Sequence, residues 1–251
     1  MKNFLIEIET AFFKDNVKTV TETLLVALRK TNTTLPFMER TEKILPGISD
    51  MVSEQMSYEE IYTIVEDMIL KRLKTDKEYI KEKTDHFYMQ AQGVLSTAIE
   101  KMIEIFSVEY SVSPIFKCFL GVYNPFPRSV MNKEYFLHYD ILDEVFLKAS
   151  LHEINHMILF DKWKSMHGYN SNGEPEFPSV LWYLEELAIE PTLNDRCIQE
   201  IIPIRHSAYD SLKKVQIDGI SLTEHIQRIY EQGKNIEVFL DTAYDFLSNN
   251  L

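Results

Sequence analysis

The sequence predicts an α+β protein that is mostly helical, with a small β-sheet packed beside its central helix. Apolar residues recur at helical spacing through most of the first hundred positions and again beyond position 180. Two short aromatic and β-branched runs, 115–123 and 135–139, interrupt that texture as strands would. The 251 residues include only seven glycines, too few for a fold built on many tight turns. A change of texture near residue 110 separates a mostly helical N-terminal region, 1–110, from a second region, 111–251; the two are also compatible with one continuous domain.

Residues 4–8 alternate as a short strand, and the run 10–30 is helical, with Leu24, Leu25 and Leu28 in its apolar stripe. The segment 31–50 holds Pro36, Pro46 and Gly47 and reads as loop with room for one short helix. Ser57 followed by Glu59 and Glu60 is a helix start signal, and Ile61, Ile64, Val65, Met68 and Ile69 form the buried stripe behind it. One long helix spans 76–106, charged in its first half and apolar through Val94, Leu95, Ala98, Met102, Ile103 and Phe106. The charged half is a solvated face, and His86 within it is a surface or capping residue. The two strands precede a helix around position 154. Loop follows over 168–178, then a short helix over 179–190 stopped by Pro191. The rest is helical, broken at Pro203, Gly219 and Gly233.

Composition limits the partners. Lys and Arg number 26 against 39 Asp and Glu, a net charge of −13, which argues against nucleic acid and anionic membranes. Cys118 and Cys197 cannot build a disulfide framework, and the N-terminus is interrupted by charge too early for a secretory segment. No run approaches the roughly eighteen uncharged apolar residues of a spanning helix. The expectation is a soluble, cytoplasmic protein.

The chemistry lies in 149–159, which contains His152-Glu153-Ile154-Asn155-His156, the His-Glu-x-x-His pattern that zinc hydrolases carry on a helix. Histidines four apart point the same way from an α-helix, one turn from each other, and two neutral imidazoles so placed can share one tetrahedral Zn2+. Glu153 is rotated off the ligand axis, where its carboxylate can reach water without binding the metal. Val145, Ala149, His152, His156 and Leu159 share one stripe, so the histidines are expected to face inward.

A catalytic site needs a third ligand and an open position. The run 182–190, Trp-Tyr-Leu-Glu-Glu-Leu-Ala-Ile-Glu, offers Glu185 and Glu186. Val180, Leu181, Leu184, Leu187 and Ala188 cluster on one helical face; Glu185 lies at its margin and Glu186 nearly opposite. The wheel therefore favours Glu185, with Glu186 as the alternative.

His152-Glu153-x-x-His156, followed after 28 intervening residues by Glu185, resembles the gluzincins, the thermolysin-like zinc metallopeptidases. Members of that clan carry Trp-Leu-x-Glu-Gly-x-Ala on a second helix, with the Glu as third ligand. The match sets Glu185 on the ligand, and the chain departs from the pattern in having Glu186 where glycine is common. Other gluzincins place an acid four residues after the ligand, and Glu190 fits that role only with Glu186 as ligand. The resemblance has specificity over about forty residues and leaves 1–110 unassigned. It implies that 111–251 is a catalytic region that hydrolyses a peptide or protein substrate, with Glu153 as general base. It also implies a Tyr or His hydrogen-bonded to the oxyanion, for which Tyr209 and His206 offer both types, with His138 and His167 weaker candidates. In that clan an extended substrate adds to a sheet edge beside the zinc helix, so the strand 115–123 is expected either to offer such an edge or to be a buried strand.

Two rival classes follow from the same residues. Glu153-x-x-His156 is also half of a di-iron signature, but no other histidine has Glu three residues before it. A non-catalytic binding or regulatory protein on a metalloprotease scaffold is the second alternative; loss of Glu153 or a ligand would mark it, and all are present.

Overall fold

Strand β1 (Leu5–Thr10) alternates Ile6 and Ile8 with Glu7 and Glu9, so one of its faces has to be covered. The computed structural model, which describes residues 5–29, 35–122, 128–168 and 175–251, pairs it with β2 (Ile115–Gly121) in parallel, Leu5 opposite Ile115. A parallel pair needs a crossover connection. Here it is a helical run: α1 (Phe13–Arg29), α2 (Leu35–Ile44), α3 (Ile48–Met51), α4 (Tyr58–Thr75), α5 (Lys77–Gln90) and α6 (Ser96–Phe106). After β2 come β3 (Arg128–Ser129) and β4 (Glu134–His138), giving the sheet order β1-β2-β4-β3 with only β3 antiparallel. Ile6, Ile8, Phe116, Cys118, Leu120, Tyr135 and Leu137 alternate onto the core face, all buried. The sheet thus joins residues on both sides of position 110, and the architecture is α+β and mostly helical, as the sequence predicts.

The long helix α7 (Asp143–His167) runs from the sheet into the core and is followed by α8 (Val180–Leu193), α9 (Arg196–Gln199) and α10 (Asp210–Lys213). The hairpin β5 (Gln216–Ile217) with β6 (Ile220–Ser221), then α11 (Leu222–Gln232) and α12 (Ile236–Asn250), complete the chain. Among the described residues no helix is long and apolar enough to cross a membrane, and both cysteines are free.

Several local expectations change. The stretch 31–50 holds two helices, α2 and α3, where one was expected; residues 31–34 lie outside the described set, as do Phe4, Tyr123 and 169–174 of the expected strands and loop. The helix over 76–106 is interrupted by a π turn, Ala91–Leu95, in which Gly93 leaves helical geometry. Pro191 does not end α8, which continues to Leu193; burial of Pro191, Thr192 and Leu193 holds a last turn that has lost one hydrogen bond. The capped start at Ser57 is realised in full. The Ser57 hydroxyl accepts from the Glu60 N–H (3.2 Å), while the Glu60 carboxylate accepts from the Ser57 N–H (2.8 Å).

A buried hydrogen bond pins helices α7 and α8. Asn155, fully buried, donates from Nδ2 to Thr192 Oγ1 (2.9 Å), and Thr192 donates in turn to the Ala188 carbonyl (2.6 Å). Asn155→Ala should cost about 1–3 kcal/mol in urea unfolding. Thr192→Val should add less on that background than alone; strictly additive losses would show that the two groups are not coupled.

At the end of β4, His138 Nδ1 accepts from the Asp140 N–H (2.9 Å), and burial pushes the imidazole pKa down to about 4 against an opposing lift from Asp140. The unfolded chain takes up this proton near pH 6.5 and the native chain only near 4. Its stabilising contribution is therefore complete above the unfolded value and is lost as pH falls through that window. His138→Asn should flatten the pH dependence of the unfolding midpoint between about pH 6.5 and 4; a slope equal to wild type would refute the assignment.

Candidate metal centre

Helix α7 sets His152 and His156 one turn apart, and their Nε2 atoms meet at 3.1 Å with the rings nearly perpendicular. Helix α8 lies alongside and brings in Glu186, whose Oε1 is 3.8 Å from His156 Nε2 and whose Oε2 is 3.9 Å from His152 Nε2. One ligand atom from each residue lies within 4.8 Å of the others, the one such group among the described residues. Tetrahedral zinc with bonds of about 2.0–2.1 Å holds its donors about 3.3–3.4 Å apart; the two histidine nitrogens already stand near that spacing, and one Glu186 oxygen would close on them from within 4.8 Å. His156 is fully buried and Glu186 nearly so, while His152 keeps some contact with solvent and marks the open side.

Both imidazoles are held neutral, the form that binds metal. Burial pushes His152 down to about 3, helped by the charges of Arg128, His206 and Lys148. His156 is likewise held well below the usual histidine range, first by burial and then by Arg128 and His152. His156 Nδ1 is buried and has no hydrogen-bond partner among the described residues.

The two glutamates divide the work differently from the helical-wheel expectation. Glu186 turns to the histidines; Glu185, the preferred ligand from sequence, instead accepts from Arg128 Nη2 at 2.9 Å. The wheel assumed one solvent face for α8. In fact α6, α7, α11 and α12 all pack on it, and both carboxylates are buried. The inward stripe on α7 holds from Ala149 onward, with His156 and Leu159 buried and Ala149 and His152 partly so; Val145, nearer the helix start, is exposed, and 153–160 is buried on every side.

Glu153, also buried, accepts from Arg128 Nη1 at 3.2 Å. Arg128 therefore joins the general-base candidate to Glu185, and its Nη2 lies 3.9 Å from Glu186 Oε1. Sequence reasoning missed this residue. The available signal was slight: Arg128 is the only charged side chain between Lys117 and Lys133.

His206 and Tyr209 lie on the stretch after α9, near enough that His206 bears electrostatically on His152, and Glu186 and Glu153 on Tyr209. The side chain of Asn194, at the end of α8, clamps His206 from both sides: the His206 N–H donates to Oδ1 and the His206 carbonyl accepts from Nδ2, each at 2.9 Å. The Ala208 N–H donates to Glu190 Oε2 at 3.2 Å. His206 is buried with Nε2 lacking a partner among the described residues, and burial pushes its pKa down to about 4. Tyr209 is half exposed; its hydroxyl is pushed up to about 12, first by the packing around it and then by Glu186 and Glu153.

The weaker candidates stand apart. His138 is engaged with Asp140, and His167 pairs with Asp241 at 3.0 Å. His86 is exposed and bound to Asp143 (2.9 Å), as a surface residue should be. Of the expected strand 115–123, the described part β2 is an interior strand with no open edge, flanked by β1 and β4; among the described residues β3, which carries Arg128, is the outer strand on the side of the centre. Comparison of the chain with protein-family models, with curated proteins and with solved structures gives no match in any of the three, so the reading of this centre rests on its own geometry.

Proposed function

We propose that this protein is a zinc-dependent hydrolase of peptide bonds, with His152, His156 and Glu186 as the metal ligands and Glu153 as the general base. The observation that carries the reading is the convergence of two neutral imidazoles and a buried carboxylate on one point, with a second carboxylate beside them. Charge balance supports it as well. Glu153, Glu185 and Glu186 all approach the Arg128 guanidinium, and a dication would offset the excess of carboxylate.

A bound divalent ion would supply Lewis-acid activation of water and of the scissile carbonyl. Glu153 takes the proton from the attacking water and passes it to the leaving amine. His206, fixed at its backbone by Asn194, carries a buried ring nitrogen without a partner among the described residues, and Tyr209 carries a hydroxyl on a half-exposed side chain; each is suited to donate to the developing oxyanion. The outer strand β3 replaces β2 as the place where an extended substrate would align.

Elemental analysis of purified protein should find about one zinc per chain. His152→Ala, His156→Ala and Glu186→Ala should lose it, and Glu185→Gln should keep it. Loss in Glu185→Gln with retention in Glu186→Ala would reverse the ligand assignment, and no metal in zinc-supplied wild type would remove the hydrolase reading. Glu153→Gln should retain zinc and lose about 10²–10⁴-fold in hydrolysis of a peptide pool; a fully active variant would sink the general-base role.

A further inference from the structure

Arg128 is the one residue of the centre that comes from the sheet. It stands on β3, whose two residues pair antiparallel with β4, Arg128 opposite Tyr135. Its side chain is 15% exposed, and its two terminal nitrogens serve different carboxylates: Nη1 bonds Glu153 Oε2 at 3.2 Å, and Nη2 bonds Glu185 Oε1 at 2.9 Å. Glu185 is fully buried on α8 and Glu153 is buried on α7. A guanidinium is planar, permanently charged and forked, so anchoring one nitrogen on an immobile carboxylate fixes the direction of the other.

We propose that Arg128 is a positioning residue: held by Glu185, it fixes the carboxylate of Glu153 beside the point where His152, His156 and Glu186 converge. The inference rests on the hydrolase reading above and adds to it a task for Glu185, which is buried beside the ligand helix yet turned away from the histidines. With Oε2 bound to Arg128, the Glu153 carboxylate is restrained from rotating. Lysine cannot reproduce this, because a single ammonium on a flexible stem cannot bridge two carboxylates in a fixed plane.

The test uses the full-length chain with Arg128→Lys, Arg128→Gln, Glu185→Gln and the double variant Arg128→Gln/Glu185→Gln. Two measurements are made: urea unfolding of the metal-free proteins, and zinc content with peptide-pool kinetics of the zinc-loaded ones. The urea midpoint shift of the double variant should be smaller than the sum of the single shifts, because either change alone breaks the pair. Each loaded variant should keep about one zinc per chain. Each should lose about 10–100-fold in kcat with KM within about twofold of wild type, and the double variant should be no slower than Arg128→Gln. Additive midpoint shifts, or an active wild type whose Arg128→Gln form matches it in kcat, would overturn the proposal alone. A raised KM with unchanged kcat in Arg128→Gln, not reproduced by Glu185→Gln, would overturn it in favour of direct substrate contact. A zinc-loaded wild type that hydrolyses nothing in the pool would overturn the hydrolase reading and this proposal with it.

Discussion

Taking Glu153, Glu185 and Glu186 out of water imposes a demand that the surrounding structure has to meet. A buried carboxylate without a partner costs several kcal/mol, enough to consume much of the stability of a domain this size. The three lie on two adjacent helices within reach of one guanidinium, so Arg128 can face all of them only from outside the helix pair. The sheet provides that position. β3 sits at its outer side, β4 connects directly into α7, and the geometry of the centre follows from how the sheet meets the helix.

The rest of the frame works toward the same rigidity. Asn155 sits inside the His-Glu-x-x-His motif and uses its amide to tie α7 to Thr192 on α8, which fixes Glu186 relative to the histidines. At the far end of α8, Asn194 and Glu190 hold the backbone of the following segment at His206 and Ala208. Three elements, α7, α8 and β3, thus meet at the centre, each held by a contact to a neighbouring element and not by its own side chain alone. Sites built this way keep their geometry within the narrow tolerance that catalysis requires.

What could be read from the sequence was local. The histidine pair, Glu153 and the candidate pair at 185–186 were legible because spacing on a single helix fixes which side chains can meet. The capping box at Ser57 was legible for the same reason. The assignment between Glu185 and Glu186 was not, since it depends on which neighbours enclose α8, and a wheel carries information about one helix only. Arg128 was harder still: its role follows from a two-residue strand and a register across the sheet. The β5–β6 hairpin is a different case. Asp218 and Gly219 both take positive φ, 52° and 77°, and Asp-Gly between short alternating runs is a hairpin signal that the expectation of a helix break at Gly219 passes over.

Adjacent residues on a helix point about 100° apart, so two consecutive glutamates on an exposed helix share one task, solvation. On a helix enclosed on all sides the same pair faces two separate environments. Glu186 looks along the gap between α7 and α8 to the imidazoles, and Glu185 looks toward the guanidinium from the sheet. Placing a glycine at 186 would remove the carboxylate that completes the cluster, while placing an apolar residue at 185 would leave Arg128 bonded to Glu153 without its buried anchor. The Glu-Glu pair, ambiguous when read as a choice between two ligands, becomes intelligible as one ligand and one anchor side by side.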